Sequence, residues 1–107
     1  MNLNPAVQQV LIASRATPID IPTDDNIAKV IAGHFYDAIR SGKMTDRQVY
    51  DILKSGDLDG ELGYGTYIHS AKVMHHLNDG LDFSRFAADD ALQKYLNRAK
   101  GVPHFSR

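Results

Sequence analysis

Cysteine and tryptophan are absent from this 107-residue chain, and only one of its 13 acidic residues is a glutamate. Without cysteine there are no disulfides, no thiolate zinc sites and no thiol nucleophile, which agrees with a reducing compartment. Long apolar runs are missing too. None approaches the roughly 18 to 20 residues of a membrane span, and Met1 to Arg15 lacks the basic start and apolar centre of a secretion signal. A cytoplasmic protein that does not enter membranes is therefore expected. The formal net charge of −1 lacks the basic excess of a general nucleic-acid coat or a membrane-surface binder. No repeat or low-complexity segment occurs, and the length suits one domain with one core.

The charge that is present is unevenly placed. Asp46, Asp51, Asp57, Asp59 and Glu61 form an acidic middle, with Arg47 and Lys54 interspersed. No acid follows Asp90, whereas Lys94, Arg98, Lys100 and Arg107 make the C-terminal end basic. Aspartate favours caps and turns, so the Asp-for-Glu bias fits a chain of several short helices.

Glycine and proline divide the sequence into four to five helical stretches. Asn4 caps a first helix that has Pro5 at its first position and Val7, Val10 and Leu11 on one face through about Ser14. Two prolines then exclude helix from residues 16–22, predicting an extended strap in which Ile19 and Ile21 alternate with Asp20. Thr23 or Asp24 caps a second helix whose stripe is Ile27, Val30, Ile31, His34, Phe35, Ala38 and Ile39, closed by Gly42. Thr45 and Gln48 form a capping box for a third helix carrying Val49, Ile52 and Leu53, closed by Gly56. The segment Asp57 to Gly65 is read as a loop. A fourth helix is expected from about Thr66 to Asn78, with Tyr67, Ile68, Ala71 and Met74 on one side and Val73 and Leu77 widening the arc. Its breadth predicts a central helix touching two neighbours. The polar remainder is a strip of His69, Lys72 and His76. Asp82 or Ser84 starts a last helix with Ala88, Ala91, Leu92, Tyr95, Leu96 and Ala99 at helical spacing, ending at Gly101; residues 102–107 are a tail. The fold class is thus all-α, a compact bundle of four to five helices in a single domain over residues 1–107.

Chemistry-bearing patterns are sparse. His69 and His76 share a face but lie seven residues apart, roughly 10 Å along a helix, too far to hold one ion. His75 and Asp79 have i, i+4 spacing with nothing to complete a site. The acidic loop fails as a calcium loop, because Gly60 falls at position 4 and Ile68 at position 12 when Asp57 is position 1. No metal or cofactor is expected. His34 interrupts an apolar stripe and reads as a core histidine bonded to a neighbour, or as an acid/base or pH-sensitive group. With no Gly-x-Ser-x-Gly elbow, no enzyme is expected.

The leading expectation is a non-enzymatic protein-interaction module of the regulator, inhibitor or adaptor type, of a size that fits a bacterial or phage accessory protein, with a protein partner and possible homodimerisation. Tyr36 projects about 180° from the Ile27 side of its helix, close on the wheel to Arg40. Both are residue types enriched at interface hot spots. Phe105 in the tail is the third candidate contact, expected to dock on the domain or on another subunit. The alternative is nucleic-acid or nucleotide binding. There, Gly63, Gly65 and Thr66 would present helix-start amides to an anion beside His69, Lys72 and His76, and Lys94, Arg98 and Lys100 would meet phosphates. A helix-turn-helix is disfavoured, since Ser55 to Gly65 puts about eleven residues between the third and fourth helices where the motif uses three or four.

Overall fold

The computed structural model describes residues 4–63, 66–78 and 80–101. Five helices and one small hairpin follow in the order α1 (Pro5–Ala16), α2 (Asp24–Arg40), α3 (Asp46–Ser55), β1 (Gly60–Gly63), β2 (Thr66–Ile68), α4 (Ser70–Leu77) and α5 (Ser84–Gly101). The molecule is a small all-α protein, and no helix among the described residues is long and apolar enough to cross a membrane. Phe105 and Gly65 lie outside the described residues.

Local chemistry sets the helix ends. The Asn4 side chain accepts the Ala6 amide at 2.7 Å, with Pro5 at the first helical position of α1. Thr23 accepts the Asn26 amide to start α2, and Asp24 and Asp25 place negative charge where the helix dipole favours it. The capping box of α3 is formed in full, Thr45 Oγ1 accepting from the Gln48 amide at 3.0 Å and Gln48 Oε1 from the Thr45 amide at 2.9 Å. Gly42 and Gly56 have φ of 81° and 75°, the left-handed geometry that ends α2 and α3.

Around α2 the core assembles: this helix packs against α1, α4 and β2, and α4 packs on α3 as well. Phe35, Ile31, Val7, Val49 and Val73 are fully buried there. α4 thus touches two neighbours, as its broad apolar arc requires. Its start differs from the expected Thr66. Thr66–Ile68 pairs antiparallel with Gly60–Gly63, in register Gly60 with Ile68 and Glu61 with Tyr67, with a bulge between Glu61 and Gly63. The segment read as an irregular loop is therefore half hairpin. A β-branched and aromatic run, Thr-Tyr-Ile, favours a pleated, half-buried surface, and it buries Ile68 while leaving Tyr67 exposed. The strap residue Ile19 packs on the core, whereas Ile21 is exposed.

α5 departs most from a closed bundle. Phe83 and Phe86 are buried at its root, but every residue from Ala91 to Ala99 is exposed. At 1.5 Å per residue the helix is about 27 Å long, and the principal extents of the protein are 63 × 29 × 26 Å.

Candidate functional site

The residues with chemical potential fall into three places. The first is the joint between the N-terminus of α2 and the hairpin–α4 segment. Asp24 accepts the Tyr67 amide through Oδ1 at 3.3 Å and pairs through Oδ2 with His69 Nε2 at 3.1 Å. Asp25 pairs with His76 Nε2 at 3.0 Å. The Tyr67 amide, followed by the His69 ring and the Lys72 charge, holds the Asp24 carboxyl below its usual range. His69, expected within the helix, instead precedes α4 in extended backbone, while Lys72 and His76 lie on α4; Asp24 and Asp25 of α2 pair with the two histidines.

The expected anion cradle is also reorganised. Gly63 and Thr66 belong to the hairpin, so their amides do not open a helix. The helix start is at Ser70, and its amide donates to Asp59 Oδ1 at 2.8 Å. The Ser70 hydroxyl and amide lower the Asp59 carboxyl below its ordinary range; of the two groups, the amide alone has hydrogen-bond geometry to it, and the buried hydroxyl has no hydrogen-bond partner among the described residues. An acid of the acidic middle has taken the place of an external anion.

The second place is a groove of about 630 Å³ lined by Thr17, His34, Tyr36, His76 and Gly80 among others. Thr17 Oγ1 donates to the Ala13 carbonyl at 2.8 Å and lies 2.8 Å from His34 Nε2. The Thr17 hydroxyl thus links the His34 ring to the backbone of α1, a contact in which the donor is set by the imidazole tautomer. Tyr36 is half-buried, with Arg40 5.8 Å from its ring centroid. The turn at Gly80 covers its edge, so Tyr36 is less exposed than one-sided packing of α2 would leave it. Among the described residues, no group of three or more His, Asp or Glu side chains is placed to hold a metal ion.

The third place, α5, was only partly legible. Its root is clamped on α3: the Phe86 ring packs in tilted contact with Tyr50 and Phe83 at ring-centroid distances of 5.4 and 6.1 Å. The guanidinium carbons of Arg85 and Arg47 sit 4.5 and 5.1 Å from the Phe86 centroid. Arg47 bonds Asp90 at 2.6 Å, and Arg85 pairs with Asp46. Asp90, set at the N-terminal end of α5, therefore binds an arginine of its own chain. The sequence reading missed Arg47, Asp46, Arg85 and Tyr50 as anchors, because a pair such as Asp46 and Arg85, 39 residues apart, leaves no local signature. Beyond the root, Leu92, Tyr95 and Leu96 are 57%, 66% and 42% exposed. At 100° per residue, Ala88, Leu92, Tyr95, Leu96 and Ala99 form one side of α5, roughly opposite the Phe86 and Asp90 side that meets the body. Lys94 and Arg98 are exposed on α5, and Lys100 follows in its last turn.

Compared with protein-family models, curated proteins and solved structures, the chain matches none significantly.

Proposed function

We propose that the chain is a non-enzymatic protein-interaction module, of the regulator, inhibitor or adaptor type and working in the cytoplasm, whose contact face is the apolar side of α5. One observation carries this reading: a helix is anchored at its root by tilted aromatic contacts and ion pairs, yet its longest apolar stripe is turned away from the body. A tertiary core element would face inward, and an ordinary surface helix would carry polar residues there. Tyr36 and Arg40, with Phe105, are secondary contacts in this reading. Phosphate binding through His69, Lys72 and His76 is disfavoured by Asp24 and Asp25.

A photo-activatable side chain placed at Leu92, with the exposed Glu61 position on β1 as control, tests the reading in the source cells. Protein adducts from position 92 and not from position 61 are expected. Absence of any protein adduct from position 92 overturns it.

A further inference from the structure

We infer that the occupant of the α5 face is the α5 of a second copy of this chain, lying antiparallel; this rests on the reading of α5 as the contact face. Ala88, Leu92, Tyr95 and Ala99 recur at spacings of four, three and four, the seam spacing of two packed helices, and Leu96 and Ala91 flank it. The seam is roughly opposite the side carrying Phe86 and Asp90, so a second helix lies along it without disturbing the contacts of Arg47 with either; Arg85, seven residues before Leu92, marks the N-terminal end of the seam.

Charge along the helix selects the direction. The first half of α5 carries Arg85, Asp89 and Asp90, of which Arg85 and Asp90 are paired with Asp46 and Arg47 of the same chain, so Asp89 is its unpaired charge among the described residues; Lys94, Arg98 and Lys100 stand in the second half, with no acid beyond Asp90. A parallel pair places the basic halves and like dipole ends together. An antiparallel pair brings the Asp89 half of each copy to the basic half of the other and opposes the dipoles. The two-fold axis then passes near the middle of the stripe, setting Ala88 across from Ala99 of the partner subunit and Leu92 across from Tyr95 of the partner subunit. A contact made by one short helix from each copy falls below about 1,200 Å² in total, the size of a weak, concentration-dependent association.

The chain has no cysteine, so single introduced thiols report the geometry without background. Ala88→Cys and Ala99→Cys are both at exposed positions. Under mild oxidation, an equimolar mixture is expected to form the 88–99 cross-link. Neither variant alone should cross-link to itself, because in the antiparallel pair identical positions are about 16 Å apart along the axis whereas a disulfide needs Cα atoms within about 7 Å. Sedimentation equilibrium of the unmodified chain from about 10 µM to about 1 mM should show monomer and dimer, and Leu92→Glu should weaken the dimer at least about tenfold. Its far-UV spectrum should not change, since Leu92 is exposed. Self-linking of Ala88→Cys in place of the mixed product overturns the antiparallel arrangement. A chain that stays monomeric throughout overturns the inference altogether, and photo-adducts from position 92 to other proteins would then leave the interaction-module reading standing.

Discussion

Two side chains, Tyr36 and Asp59, show how single residues settle matters that pattern leaves open. A Cβ added at Gly80 would sit 3.0 Å from Tyr36 Cε2. The half-buried ring can give a little, so Gly80→Ala should destabilise by about 1 kcal/mol, toward the low end for overpacking, as read from the urea midpoint. Asp59 closes the N-terminus of α4, which lacks a capping side chain at His69. Asp59→Ala should therefore cost about 1 kcal/mol, as loss of a helix cap does. The acid range follows from the same carboxylates. Asp24, Asp59 and Asp82 all have folded pKa values lowered from 3.8, Asp82 by the Ser84 hydroxyl and amide. Their stabilising contribution is complete above the unfolded value and disappears as pH falls through the lowered folded values. Urea midpoints should thus be insensitive to these groups between about pH 5 and 7 and drop below about pH 4, less steeply in Asp59→Asn.

At the scale of elements, what could be read depended on whether the determining interaction was local. The α3 capping box lies within four residues, and Thr45→Ala should remove about 1 kcal/mol of stability in a thermal or urea melt. Gly42 and Gly56 likewise mark the helix ends by themselves. The hairpin was hidden because Ile68, Ala71 and Met74 also fit a helical stripe, and the deciding partner of Thr66–Ile68 is another strand. For α5 the periodicity gave the helix and its apolar side but not its exposure, since a stripe on paper does not say whether anything covers it. Of His69, Lys72 and His76, read as one helical strip, His69 precedes α4, and the carboxylates that pair with the two histidines come from α2, more than 40 residues earlier. Removing the root of α5 is the direct check on its anchoring. Phe86→Ala should lose about 3 kcal/mol, as large-to-small changes in buried aromatics do. It should also speed proteolytic cleavage between α4 and α5, measured by fragment mass.

For the molecule as a whole, the uneven charge and the projecting helix belong together. The basic end of the chain coincides with the part of α5 that leaves the body, so salt should weaken an association through it more than it weakens folding. Sedimentation at low and at about 1 M salt separates the two: the dimer fraction should fall as ionic strength rises, with an unchanged far-UV spectrum.

The clamp of Phe86 between two guanidinium groups has a consequence beyond stability. A helix fixed at one end and, in the proposed dimer, paired along the other would make a spacer of defined length. Two bodies would then sit at opposite ends of the joined helices, facing outward by symmetry. Whatever either body grips, through the groove at His34 or another surface, would be gripped in duplicate at a set separation. A target with two epitopes at that separation would be retained far longer than a target with one, through raised effective concentration rather than any new contact.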